Sequence, residues 1–374
     1  MKIIGSKEVN TGRQTEYDYL KGMFMPFIFL IHAYQATGSE QGPFVSVIYI
    51  FATMSGAAIY IFVAGFGTAY DSSSSPAVLC RRGIRLIVYQ YLTNILYVLA
   101  LLVPYPFVKN ALNAEGTETF RVMTWVYIQF INIFFITGVI YLILALLKKI
   151  GLPLIGYLIA GVVTSVAAPA VYGTQVDVPG LGYVVTLLIG EAPFVSFTPL
   201  YFLPYALIGV AAGRIYRKIT DKTAFYKRMI PVSVFVILIW WISVYVRLRY
   251  PTEDLGYITD LASFSQMMDY AYSCPDLWHV IASLAHIMLF AGMIFICGRD
   301  REPGIIRSQF LYYSRHITGY YAVHLAVYLV AFGLHSYMGF EPPAVWILTL
   351  ISMITTEIII RSVDLTTGGN VKMK

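Results

Sequence analysis

His32 is the side chain in this sequence that most needs a chemical account. It sits near the middle of an apolar run from about 20 to 37, and Lys21 opens the same run. An ionisable group inside hydrocarbon is costly, so it normally faces protein or a wet cavity and marks a functional position. Imidazole titrates near neutral pH, which suits it to take a proton from a hydroxyl attacking a carbonyl carbon. If Lys21 and His32 share one helix, roughly 16 Å separates them along its axis. Arg81, Arg82 and Arg85 stand at the entry to another apolar run. Arg82 and Arg85 lie one helical turn apart and point the same way. Two guanidinium forks and an ammonium suit phosphates. A ligand with a phosphorylated head and a long arm ending in a reactive group has the shape of a coenzyme A thioester. Its thiolate leaves readily, and Tyr89, Gln90, Asn94, Gln129 and Asn132 are candidate donors for the developing oxyanion.

Each of these residues also has a plainer reading. His32 can be satisfied by Gln35 or by a backbone carbonyl. Arginines are expected at a cytoplasmic membrane edge whatever they bind, and Lys21 can snorkel to lipid headgroups. His316, Tyr320 and His324 recur at four-residue steps on one face. That spacing permits metal ligation, but no acid or cysteine accompanies them, so no metal is expected; His324 is the second cavity candidate, and Tyr320 fits an interfacial aromatic belt. His279 and His286 share a face and read as structural. Glu357, an acid inside an apolar run, suits either an ion pair or a proton relay. Gly56, Gly65 and Gly67 suit close helix approach, and Pro26 suits a kink before His32.

The elements that must position these groups are membrane helices. With 58% apolar and 12% charged residues and a mean hydropathy of +0.69, the chain is far from the composition of a soluble domain. The apolar runs are too long for barrel strands. An all-α polytopic bundle of about ten transmembrane helices is expected, near 20–37, 44–70, 84–104, 122–147, 153–172, 199–216, 229–246, 278–298, 315–335 and 341–360, with 181–195 re-entrant or interfacial. Of the 26 Lys and Arg residues, only Lys109, Arg121, Arg247 and Arg249 fall on the side opposite the termini, which makes both termini cytoplasmic. The expected organisation is a cytoplasmic tail over 1–19, a membrane domain over 20–360 and a cytoplasmic tail over 361–374. The N-terminal segment lacks the pattern of a cleaved signal peptide. Cys80, Cys274 and Cys297 have no metal-ligand spacing. Topology accounts for the net charge of +6, which therefore does not argue for a nucleic-acid partner.

The run YDYLKGMFMPFIFLIHAY resembles the first helix of the acyltransferase-3 family of integral-membrane acyltransferases, whose pattern is a basic residue, ten intervening residues and a histidine. Lys21 and His32 fill those places. IFVAGFGTAY followed by RRGIRL is similar to the family's second helix and its Arg-x-x-Arg motif, matched by Arg82 and Arg85. NIFFITGVIYLILALLKKIG, PLYFLPYALIGVAAGR and ITGYYAVHLAVYL are similar to later segments of that family and of heparan-glucosaminide N-acetyltransferase-like proteins. The sequence departs at Lys21, where arginine is usual, and at Ala64, where serine often stands. The resemblance implies transfer of an acyl group, often acetyl, from cytosolic acyl-CoA to a hydroxyl of a carbohydrate or other envelope acceptor such as a glycan, a lipid-linked sugar or a secreted small molecule.

The expectation is thus a multi-pass protein of the inner or plasma membrane, with His32 as general base and Lys21, Arg82 and Arg85 on the phosphates of acetyl-CoA. His324, Tyr320, Asn132 and Glu357 are secondary. The alternative is a transporter or exporter that relays protons through His32 and Glu357.

Overall fold

In a computed structural model the described residues are 3–37, 42–70, 74–105, 114–171, 174, 176, 178, 180–189, 198–249, 275–298, 304–338 and 345–366. Lys109 and Cys274 lie outside them. The described chain is helical: α1 (Thr15–Met23), α2 (Met25–Thr37), α3 (Gly42–Tyr70), α4 (Pro76–Leu102), α5 (Ala114–Gln129), α6 (Ile133–Lys149), α7 (Leu154–Val171), α8 (Leu181–Ile189), α9 (Pro199–Tyr216), α10 (Lys222–Arg249), α11 (Leu277–Gly298), α12 (Ile305–Arg315), α13 (Ile317–Met338) and α14 (Val345–Thr366). The described residues contain no strand; Ile4 and Ile219 form an isolated bridge.

Five helices among the described residues are long and apolar enough to cross a membrane: Pro76–Leu102, Leu154–Val171, Lys222–Ser243, Leu277–Gly298 and Val345–Thr366. Helix α7 illustrates why a bilayer suits them. Its inward face carries Tyr157, Gly161, Ser165 and Ala168, all buried. The opposite face presents Ile155, Ile159, Val162 and Val166, each about half exposed. Small residues inside and branched aliphatics outside reverse the pattern of a water-soluble helix and match one packed on protein and facing lipid.

Two expected spans are interrupted where their polar residues fall. The run from 20 to 37 breaks at Phe24, just before Pro26, so Lys21 lies in the last turn of α1 while His32 belongs to α2. The expectation of one continuous helix from Lys21 to His32 fails there, because a proline cannot donate the bond that would continue the first helix. The run from 122 to 147 likewise divides into α5 and α6 around Phe130–Asn132. Of the segment 181–195, residues 190–195 lie outside the described residues, and 181–189 form the nine-residue α8, by itself too short to span.

The chain forms two compact units, one of Met1–Leu20, Thr53–Gln90 and Ile131–Glu302, the other of Lys21–Ala52, Tyr91–Phe130 and Pro303–Lys374. In the first, α9 packs on α6 and α7, and α10 pairs with α11. Gly65 lets α3 approach α9 until a Cβ there would lie 2.1 Å from the Ala206 carbonyl oxygen, and Gly209 meets Phe62 in the same way. Among the described residues a Cβ at Gly56 or Gly67 meets nothing within 4 Å, so the close helix approach expected of them is not found there. In the second unit α2, α13 and α14 pack together, and this group carries His32, His324 and Glu357.

Candidate functional site

The α2–α13 contact in the second unit brings His32 and His324 together, with ring centroids 5.1 Å apart. Phe29, one turn before His32, lies 4.9 Å from His324. Tyr321 and Tyr328 complete an aromatic surround, at 5.4 and 6.0 Å from His324 and about 6.5 Å from His32. The Tyr328 hydroxyl donates to the Phe29 carbonyl at 2.7 Å and ties α13 to α2.

Each imidazole is held by its Nδ1. His32 Nδ1 lies 3.0 Å from Gln35 Oε1, and His324 Nδ1 lies 2.7 Å from the Tyr320 carbonyl. A carbonyl oxygen only accepts, so Nδ1 is the donor in His324 and its lone pair sits on Nε2. That Nε2 is buried and has no hydrogen-bond partner among the described residues. His32 donating to Gln35 likewise keeps its Nε2 as an acceptor. The two rings thus lie side by side, each held through Nδ1, and in the neutral form of each the lone pair is on Nε2. Gln35, read from sequence only as a means of satisfying His32, is also the group that sets its tautomer. Phe29, Tyr321 and Tyr328 were not singled out by the sequence, because aromatics at helical spacing are routine in a membrane bundle.

Glu357 is occupied otherwise. Its carboxylate accepts from Gln309 Nε2 at 2.8 Å, from Arg361 Nε at 2.5 Å and from the Tyr320 hydroxyl. Arg361 also reaches Gln309 Oε1 at 2.8 Å. Beside them the Tyr312 hydroxyl donates to Asp364 at 2.7 Å, His316 Nε2 lies 3.2 Å from the same carboxylate, and the Arg361 guanidinium covers the Tyr312 ring at 4.5 Å. Burial, and then this bond to Asp364, push the Tyr312 phenol up to about 12. Tyr320 is thus not an interfacial belt residue: it is 1% exposed and bonds Glu357 through its hydroxyl while holding His324 through its carbonyl. The network clamps α12, α13 and α14 together. His316 turns to Asp364 and not to His324, and the described residues hold no cluster suited to a metal ion.

The candidate oxyanion donors prove largely structural. At the α5–α6 break Gln90, fully buried, accepts the Asn132 N–H at 3.1 Å and the Phe135 N–H at 3.4 Å. Asn132 caps α6, accepting from the Phe134 N–H at 2.9 Å, while its Nδ2 is buried without a partner among the described residues. Asn94 donates to the carbonyls of Ile128 and Phe130 at 3.1 and 2.9 Å. These amides satisfy backbone groups freed by the break, which a bilayer cannot hydrate. Tyr89 is 40% exposed, and Gln129 is half-buried. In the first unit Arg82 is half-buried and Arg85 exposed; Lys21, in the second, is half-buried.

His279 and His286 serve packing. His286 donates to the Ala282 carbonyl at 2.8 Å, and His279 packs its ring edge-on to Trp240 while its backbone N–H donates to Asp276 Oδ1 at 2.7 Å. One acid escaped the sequence reading: Glu16, 4% exposed, accepts from Lys222 at 2.8 Å and from Tyr216 at 2.5 Å. Its position in a polar N-terminal stretch gave no sign of burial.

Comparison with protein-family models, with curated proteins and with solved structures finds no match to this chain in any of the three.

Proposed function

We propose that this chain is an integral-membrane acyltransferase that moves an acyl group, acetyl foremost, from cytosolic acyl-CoA to a hydroxyl of an envelope or other extracytoplasmic acceptor. The observation that carries this reading is the His32 imidazole, tied at Nδ1 by Gln35 with Nε2 left as the base, inside an aromatic surround shared with His324. In this reading His32 Nε2 takes the proton from the acceptor hydroxyl as its oxygen bonds to the thioester carbonyl carbon. The tetrahedral intermediate then expels the coenzyme A thiolate, and the imidazolium returns its proton to that sulfur. Gln35 is a positioning residue. Lys21, Arg82 and Arg85 are the cations assigned to the donor's phosphates, with ten spans and both termini in the cytoplasm of a cell whose inner or plasma membrane holds the protein. The spacing of the first two sequence segments and the apolar helices support this reading.

The test is binding and slow hydrolysis of radiolabelled acetyl-CoA by the detergent-purified full chain. His32→Ala should bind and lose about 10²–10⁴-fold in turnover. Gln35→Leu should lose about tenfold in kcat, the worth of one positioning hydrogen bond. Arg82→Ala/Arg85→Ala should lose binding. If the wild type neither binds nor hydrolyses any acyl-CoA tried, the reading falls. Proton-driven solute uptake into vesicles that requires both His32 and Glu357 would replace it with transport.

A further inference from the structure

The first unit contains a cavity of about 610 Å³ whose lining includes Lys148, Arg214, Arg217, Lys218 and, as the only carboxylate among the described residues, Glu8. Four cations against one acid, with apolar walls that include Leu144 and Val210, make a space that favours anions, because low-dielectric walls focus the field of the charges. The cations are not simply splayed into solvent. Arg214 donates to the Leu152 carbonyl at 3.2 Å and covers the Tyr157 ring at 4.7 Å, and Arg217 donates to the Ala69 carbonyl at 2.6 Å. Each such bond fixes a guanidinium and leaves further N–H groups of a five-donor fork to meet a ligand.

A strap built from the N-terminus borders the cavity. Gly5 N donates to the Lys218 carbonyl at 2.8 Å, Val9 N and Asn10 N to that of Arg217 at 2.8 and 3.0 Å, and Thr220 N to that of Ile3 at 2.9 Å. These bonds lay residues 3–10 along the turn after α9 and bring Glu8 to Arg217, with the carboxylate 2.6 Å from the guanidinium. Glu8 is 45% exposed and Arg217 26%, so the pair is a rim contact that water and a stronger anion can reach.

We infer that this cavity is a phosphate-binding site, taking the phosphate group or groups of a soluble nucleotide or of an anionic lipid headgroup, and that Glu8 on the N-terminal strap is the resident counter-anion such a ligand displaces from Arg217. Arg82 and Arg85, the sequence's candidates for phosphate, do not line it. The inference does not rest on acyl transfer, since binding is read without turnover.

The experiment measures equilibrium binding of inorganic pyrophosphate and of ADP to the full chain in detergent, and retention of phosphatidylglycerol over phosphatidylcholine in nanodiscs. Wild type, Glu8→Gln and Lys218→Gln are compared, with the thermal transition of each recorded. Glu8→Gln removes the competitor and should tighten binding about fivefold; Lys218→Gln, an exposed rim charge, should weaken it about fivefold; and added salt should weaken all three. Saturable binding of pyrophosphate or ADP with these opposite shifts assigns a soluble phosphate. Selective phosphatidylglycerol retention with the same shifts assigns a headgroup. Absence of binding to all three probes overturns the inference. So does a folded Glu8→Gln protein that binds no tighter than wild type, because a purely structural Glu8–Arg217 pair predicts no gain.

Discussion

Replacing Glu357 by alanine removes one carboxylate that three donors share, and the burial of those donors sets the cost. Tyr320 is 1% exposed, and stranding its hydroxyl costs about 1–3 kcal/mol. Gln309 is half-buried and loses a weaker bond of ~0.5–1 kcal/mol. Arg361, with half its side chain in solvent and four residues along the same helix, contributes only about 0.3–0.5 kcal/mol. The expected loss is about 3 kcal/mol, most of it through Tyr320. Tyr320→Phe takes donor and demand away together and should cost ~1 kcal/mol, because the carboxylate keeps its other two partners. In that background Glu357→Ala should then cost only about 1 kcal/mol, a coupling near 2 kcal/mol. Reversible unfolding of the four proteins in mixed micelles measures this cycle. An equal cost of Glu357→Ala with and without the Tyr320 hydroxyl would refute the reasoning. Glu357→Gln, which keeps an acceptor, should retain any turnover that depends on His32, whereas a proton relay through Glu357 requires its loss.

Gly65→Val should prevent accumulation of folded protein, since its Cβ alone would sit 2.1 Å from the Ala206 oxygen, while Gly56→Ala, which meets nothing within 4 Å, should change stability by less than about 0.5 kcal/mol in the same assay. Gln90→Leu leaves the buried N–H groups of Asn132 and Phe135 without their acceptor and should cost ~2–4 kcal/mol; Gln90→Glu, which keeps the acceptor oxygen, should cost less. Tyr312, whose phenol is raised to about 12 by burial and by its bond to Asp364, should be missing from the tyrosines that ionise near pH 10 in a difference titration of wild type against Tyr312→Phe. Because the folded pKa lies above the unfolded one, its stabilisation is complete below about pH 10 and is lost as pH rises through about 12. Asp364→Asn should lower that pKa.

Composition and the length of the apolar runs determined the class of solvent and the helical architecture, because hydrocarbon admits only backbones that satisfy their own hydrogen bonds. The same logic made His32 legible as a residue to explain, and Pro26 as the place where its helix breaks. Other features depend on which side chain another segment presents. No periodicity distinguishes Asn132 as a helix cap from Asn132 as a donor to a ligand; the break at Phe130–Asn132 and the Gln90 oxygen opposite it decide. Glu357 read equally well as relay or ion pair, and only the fold shows that Gln309, Tyr320 and Arg361 meet its carboxylate. His324 acquired its meaning only from the α2–α13 contact, which sets its ring beside His32 across nearly three hundred residues of sequence. Lys148, Arg214, Arg217 and Lys218 looked like the ordinary basic fringe of a membrane protein, and the fold gathers them around one cavity with Glu8. Local sequence sets what each segment is and which solvent it tolerates. Long-range packing sets which lone pairs and charges are left without a partner, and chemistry is available only where such groups remain.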